Sequence, residues 1–359
     1  MRVLLATLCF VVSVNAAPDL VLRNGLIYDG TGRAPFKGDV AIKDGRIIAV
    51  GNVAHAGAPG KVIDVNGLAI TPGFIDVHTH AENIVYHPKA ENFLRMGVTT
   101  LVLGNCGSSK LNLGEFYTKL EKNGFSPNIA SLIGHGTVRG QVMGGSLRRP
   151  PNAIELAAMQ KLIDQAMRDG ALGMSTGLIY LPGVFARTDE LVALSKTVAA
   201  HGGIYASHMR SEGTNIFNAI DEVCTIAEQA KLPAHISHLK LAGRPMWGKH
   251  PQLLARLDQA RAEGVRLTHD QYAYTASSTS LHQLLPDALI VGGAKEFSQR
   301  IKNAKTHRET VAWMKDRLRR RQREDYSYAV IAYHKKDKRL NGLNVKEAAK
   351  LRYGKDDLD

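Results

Sequence analysis

A chain of 359 residues with 44% hydrophobic and 22% charged residues can build one large core, and it lacks the composition of a disordered segment. Its three cysteines, Cys9, Cys106 and Cys224, exclude a disulfide framework. The formal net charge is +13, but residues 295–359 hold 19 Lys/Arg against 10 Asp/Glu, so +9 lies in that stretch and a polyanion-binding surface spread over the whole chain is excluded.

In chain order, Arg2 precedes an apolar run from Val3 to Val14, and small residues follow through Ala16. This reads as a signal peptide over 1–16, cleaved after Ala16, for export to the periplasm or beyond. The run is too short for a stable membrane anchor, and no later run approaches membrane length. Cys9 leaves with the signal. Residues 17–70 alternate short apolar runs with Asn24-Gly25, Asp29-Gly30-Thr31-Gly32 and Asp44-Gly45, which are hairpin signals and point to a small β domain.

From 71 to 359 strand patterns alternate with helical ones, the signature of an α/β fold of the TIM-type (β/α)8 barrel class. Strands are expected at Phe74–Val77, Thr100–Leu103, Ile129–Ile133, Leu172–Ser175, Ile204–Ser207, Ala234–Ser237 and Val265–Thr268. Seven are visible, so the barrel reads as incomplete. Helices are expected at Ile154–Asp169, Asp189–His201, Ile216–Ala230, Leu253–Glu263 and Asn344–Tyr353, with a long helical region over Lys295–Arg323. Tyr326–Tyr333 reads as strand-like. The basic run Arg317–Arg323 lacks aromatic interleaving, so it reads as a solvated helix face and no nucleic-acid partner is expected.

The most informative stretch is Ile70-Thr71-Pro72-Gly73-Phe74-Ile75-Asp76-Val77-His78-Thr79-His80. In a strand, i and i+2 point the same way, so His78 and His80 would project together from its end. Two neutral imidazoles suit one borderline-soft divalent metal such as zinc. Cys106, His208 and His238 fall just beyond the second, fifth and sixth strands, where a barrel gathers its functional groups. Scattered structural histidines would not favour strand ends. Cys106 lies in the Gly104-Asn105-Cys106-Gly107 turn and reads as a thiolate ligand, whereas Cys224 sits among helical apolar residues and reads as core. His135 ends the third strand; contact with substrate and capping of its loop are both open. His201, His250, His269, His282, His307 and His334 read as structural.

Pro-Gly-Phe-Ile-Asp-x-His-x-His resembles the first metal motif of the amidohydrolase superfamily. Gly104-Asn105-Cys106-Gly107, His208-Met209-Arg210-x-Glu212, Ile236-Ser237-His238-x-Lys240 and Asp270-x-Tyr272-x-Tyr274 narrow the resemblance to the N-acyl-D-amino-acid deacylase (D-aminoacylase) family, from about Leu20 onward. The resemblance implies that Cys106, His208 and His238 hold a tightly bound Zn2+. It implies that His78 and His80 form a weaker second position, and that Lys240, Tyr272 and Ser278 contact a small-molecule N-acyl-D-amino acid. Leu239 stands where the family often has a second His. Strands from the far C-terminus complete the small β domain in that family.

A zinc with an open position makes hydroxide available near pH 7 and polarises an amide carbonyl. Hydrolysis also needs a general acid–base to move the proton to the leaving amine. The family uses an Asp after the eighth strand, in a Ser-Asp-Gly-like segment followed by a carboxylate-binding Arg. No such segment is found, so no catalytic residue is assigned, and the chain reads as truncated before the eighth strand and impaired. Asp337 is a formal candidate, although Lys335-Lys336-Asp337-Lys338 looks like a solvated charge cluster. Two other readings stay open: a cyclic-amide hydrolase of dihydroorotase or hydantoinase type, and a metal-binding remnant without catalysis. These motifs do not encode the oligomeric state.

Overall fold

A computed structural model describes residues 17–144 and 148–355, and the expected signal peptide lies outside them. The described residues up to Phe74 form one compact unit, and those from Ile75 form another.

The first unit is a five-stranded sheet. Strand β1 (Leu20–Ile27) pairs antiparallel with β2 (Phe36–Lys43), which pairs antiparallel with β3 (Arg46–Gly51). On its other side β1 takes β4 (Lys61–Asp64) and β5 (Ala69–Ile70), both parallel. The Asp44-Gly45 hairpin forms as expected, with φ of 48° and 70°. Asn24-Gly25 does not turn the chain. It is a bulge inside β1, where the register jumps between Leu22 and Gly25. Apolar residues continue on both sides of it, and the Asn24 N–H donates to Asp39 Oδ1 at 2.9 Å, so the strand carries on past it. Val21, Ala41 and Ala56 make a small core.

The second unit is built on parallel strands: β6 (Phe74–Asp76), β7 (Val98–Leu103), β8 (Asn128–Ser131), β9 (Ile133–Gly134), β10 (Gly173–Gly177), β11 (Ile204–His208), β12 (Ala234–Ile236) and β13 (Leu267–His269). The hydrogen-bonded orders are β6-β7-β8 and β9-β10-β11-β12-β13. The single strand expected at Ile129–Ile133 is broken at Leu132. That residue nevertheless bonds back, its N–H donating to Leu103 O at 2.9 Å, while the Leu172 N–H donates to Ser131 O at 2.9 Å. The strands therefore follow one another in chain order, and no closed barrel is formed among the described residues.

Between them run α1 (Glu91–Leu94), α2 (Leu113–Asn123), α3 (His135–Met143), α4 (Ala153–Arg168), α5 (Thr188–Ala200), α6 (Ile216–Ala230) and α7 (His250–Ala262). Helix α4 starts on a capping box, in which the Asn152 side chain takes the Glu155 N–H and Glu155 returns to the Asn152 N–H. Its Met159 and Ile163, α6 residues Ile220 and Val223, and β11 Tyr205 are fully buried in the main core. Strand β10 is buried along its whole length, as expected for a parallel strand covered on both faces.

Beyond β13 lie α8 (Asp287–Ile290), α9 (Ala294–Ile301), α10 (Ala304–Arg320) and α11 (Val345–Tyr353). The continuous helix expected over Lys295–Arg323 is two helices, because Asn303 caps α10 by accepting from the Lys305 and Thr306 N–H groups. The strand expected over Tyr326–Tyr333 does not form. Tyr326–Tyr328 is a 3₁₀ turn, and only Val330 makes a β-bridge, to Asn344. The alternating aromatic residues there serve local packing: Tyr326 is buried, its hydroxyl donating to Met314 O at 3.1 Å. Arg319 and Arg320 are exposed and both pair with Asp316 on α10, but Leu318 is buried and the Arg317 guanidinium lies over the Trp313 ring, so the basic run is only in part the solvated helix face expected. No helix among the described residues is long and apolar enough to cross a membrane.

Candidate metal centre

The parallel strands deliver the donors from their C-terminal ends. His78 lies two residues past β6, Cys106 three past β7 and His238 two past β12, while His208 is the last residue of β11.

The Cys106 turn depends on glycine. Gly104 and Gly107 have φ of 74° and 78°. A Cβ on Gly104 would fall 2.0 Å from Leu132 O, and one on Gly107 would fall 2.7 Å from Gly177 N. Ser175 in β10 ties both ends of the turn. Its hydroxyl accepts the Gly107 N–H at 2.9 Å and donates to the Gly104 carbonyl. Cys106 and His238 themselves have left-handed backbones, with φ of 54° and 38°. Such strain costs on the order of 1–3 kcal/mol per residue and persists where the surroundings impose it. At His238 the restraint is Asp270, whose Oδ1 accepts the His238 N–H at 2.7 Å.

The donor atoms converge. Cys106 Sγ lies 3.3 Å from His78 Nε2 and 3.6 Å from His238 Nε2. His238 Nε2 in turn is 2.8 Å from His208 Nδ1. Two groups that share His238 each have ligand atoms within 4.8 Å of one another: His78, Cys106 and His238, and His208, Glu212 and His238. His208 Nε2 is buried without a hydrogen-bond partner. Burial pushes the His208 pKa down to about 3, with neighbouring Glu212 opposing, so the ring is a neutral imidazole able to ligate. Burial, with Asp270 and Glu212 adding to it, pushes the Cys106 thiol up to about 12. A thiolate there needs a cation beside it, which a divalent metal among nitrogen and sulfur donors supplies. The donor set fits zinc.

His80 is not among these donors. Strand β6 ends at Asp76, so alternation does not carry to residues 78 and 80. His80 is exposed, and its ring meets that of His78 edge-on at 5.6 Å between centroids. His135 is fully buried and also stands apart. Its Nε2 shares Glu190 Oε1 with Arg139, at 2.9 Å and 3.0 Å. Lys240 lies against the donors, its Nζ 3.0 Å from His238 Nδ1 and bonded to Glu212 Oε1. The ammonium also sits over the Tyr272 ring, 5.3 Å from its centroid. Ser278 is exposed beside Thr279, whose hydroxyl meets Tyr180 OH at 3.2 Å. Tyr180 packs edge-on against His208 at 4.8 Å. A cavity of about 390 Å³ opens beside the donors, lined by His80, Cys106, Gly177, Tyr180, Leu181 and Gly183 among others.

Four residues were not singled out from sequence. Glu212 Oε1 pairs with His238 Nδ1 at 2.8 Å. Asp270 Oδ2 accepts from His78 Nδ1 at 3.0 Å and from His235 Nε2 at 2.8 Å. Burial works against both carboxylates. Hydrogen bonds to histidines outweigh it, however, holding Glu212 near 2 and Asp270 far below the ordinary range. Both lie just beyond strand ends inside the quoted motifs, which is the signal that marks them. Tyr180 and His235 carry no comparable signal. Asp337 caps a 3₁₀ turn and is bonded to Arg339 at 2.8 and 2.9 Å.

The sequence profile of the amidohydrolase family matches residues 61–357. The D-aminoacylase of Alcaligenes xylosoxydans xylosoxydans is 36% identical over 313 residues, covering 78% of this chain and 63% of that protein. The chain thus spans less than two thirds of that relative's length. A crystal structure of D-aminoacylase superposes with a TM-score of 0.76 at 30% identity, over 94% of this chain and 68% of the other. The N-acyl-D-glutamate deacylase of Bordetella bronchiseptica, solved with zinc and a phosphonate that mimics the tetrahedral intermediate, gives 0.77 at 28% identity over 95% and 68%. The chain belongs to the amidohydrolase family, within its D-aminoacylase branch.

Proposed function

We propose that this chain carries the zinc site of an enzyme that hydrolyses the amide bond of N-acyl-D-amino acids. The observation that carries the reading is that Cys106, His78 and His208 all approach His238 beside a cavity, in two donor groups that share it. Cys106, His208 and His238 would hold the tightly bound metal, and His78, whose Nε2 lies 3.3 Å from Cys106 Sγ, would belong to a weaker second position; His80, set apart from these donors, joins it in this reading on the motif alone. Zinc held there supplies a water nucleophile near neutral pH and polarises the amide carbonyl.

The chain's own residues position the substrate. The Lys240 ammonium, on the Tyr272 face, offers a charge to the substrate carboxylate, and Ser278 lies in the segment tied to Tyr180. His135 stands behind the cavity wall, 3.9 Å from where a Cβ on Gly183 would lie, and supports the wall through Glu190. Among the described residues none is assigned the general acid–base role: Glu212 and Asp270 are engaged by histidines, and Asp337 by Arg339. No nucleic-acid partner enters this reading. We also infer export, which N-terminal sequencing tests: the mature protein should begin at Ala17, and a cytosolic protein beginning at Met1 would overturn it.

The assay is release of free amine from N-acetyl-D- and N-acetyl-L-amino acids. It is run on the zinc-loaded 359-residue chain and on a version extended at its C-terminus with D-aminoacylase sequence. D-selective release by the extended protein, with little from the shorter chain, supports the reading. Release of L and D products at equal rates, or from neither version, overturns it.

A further inference from the structure

The geometry points to Glu212 as a positioning residue that selects the metal-binding tautomer of His238, by keeping Lys240 from claiming the same ring nitrogen. The inference rests on the reading that His238 binds metal.

His238 meets the other donors through one nitrogen, Nε2, which faces Cys106 Sγ at 3.6 Å and His208 Nδ1 at 2.8 Å. For Nε2 to offer a lone pair, the ring proton must sit on Nδ1. Two groups approach Nδ1. Glu212 Oε1 at 2.8 Å accepts from an Nδ1–H, whereas Lys240 Nζ at 3.0 Å donates to a bare Nδ1. These contacts demand opposite tautomers. With Glu212 alone, Nε2 is free to ligate. With Lys240 alone, Nδ1 becomes the acceptor, the proton moves to Nε2, and the ligand is lost.

The structure resolves the competition through Glu212 itself. The same Oε1 that accepts from Nδ1 also takes one proton of the Lys240 ammonium, so the carboxylate offers the lysine an anionic acceptor in competition with the ring nitrogen. Glu212 is also close enough to be read as a ligand. Its bond, however, is to Nδ1, while Cys106 and His208 meet Nε2, so it acts from behind the ring. Carboxylates that orient metal-bound histidines in this way typically set metal affinity within about 10- to 100-fold.

The test measures zinc affinity by chelator competition in the wild type, Glu212→Ala, Lys240→Met and the double variant. Glu212→Ala should bind zinc about 10- to 100-fold more weakly. Lys240→Met should bind it as the wild type does, because Glu212 still holds Nδ1–H. The double variant should recover most of the affinity lost in Glu212→Ala, because the competing donor is gone. Unchanged affinity in Glu212→Ala would overturn the inference. Loss without recovery in the double variant would overturn it too, and would make Glu212 a direct ligand. If Glu212→Ala does not fold, 15N spectra of histidine-labelled, metal-free wild type decide. A proton on His238 Nδ1 supports the inference, and a proton on Nε2 refutes it. Failure of the wild type to bind zinc would instead remove the metal reading beneath it.

Discussion

Ser175 offers a sharp test of how the Cys106 turn is held. Its side chain is fully buried, and its single hydroxyl serves two backbone groups that bracket Cys106. Ser175→Ala leaves the Gly107 N–H and the Gly104 carbonyl without that partner in a site too tight for rearrangement, since Gly107 and Gly177 already approach backbone to backbone. Each buried polar group left unpaired costs about 1–3 kcal/mol, so the substitution, which leaves two unpaired, should lower unfolding free energy by about 2–6 kcal/mol. It should also weaken zinc binding, because the turn then holds its strained residue less firmly. Ser195 in α5 supplies an internal control. It is equally buried, but its hydroxyl has no hydrogen-bond partner. Removing an unsatisfied hydroxyl is neutral or stabilising, so Ser195→Ala should change stability by about 0.5 kcal/mol or less, or raise it. Urea denaturation of both variants in excess chelator reads the difference. Equal losses in the two variants would refute the assignment of Ser175 as the tie of the turn.

Glu190→Ala should cost about 3–5 kcal/mol, because it strips the ion-pair partner from fully buried Arg139 and a hydrogen-bond partner from fully buried His135; urea denaturation checks this, and a loss below about 1 kcal/mol would contradict it. Gly104→Ala places a Cβ 2.0 Å from the Leu132 carbonyl at a φ of 74°, so soluble yield and zinc content should both fall sharply. Zinc at 100 times its dissociation constant should add about 2.7 kcal/mol to the wild type over the chelated protein, an increment that Cys106→Ala should largely lose.

The strand-end positions of Cys106, His208 and His238 were legible because parallel strands are short, apolar and bounded by glycine turns, and residues just beyond them share one face. The rest turned on long-range geometry. His80 follows the strand-like motif, but β6 stops at Asp76, and pairing rather than local pattern decides where a strand ends. Asn24-Gly25 carries turn chemistry, yet partners on both sides of β1 make it a bulge. Tyr326–Tyr333 has the alternation of a strand, but β-bridge pairing reaches only Val330, and its aromatic residues pack locally. Glu212 and Asp270 sit inside the motifs as ordinary acids. Their role appears only when residues 26 and 192 positions away in the chain are brought against them.

The most direct test is metal analysis of the purified protein and of Cys106→Ala, each dialysed against metal-free buffer. The proposed reading predicts at least one zinc retained per wild-type chain and most of it lost in the variant. A full equivalent retained by Cys106→Ala would contradict the thiolate ligand, and a wild type that retains none would contradict the site.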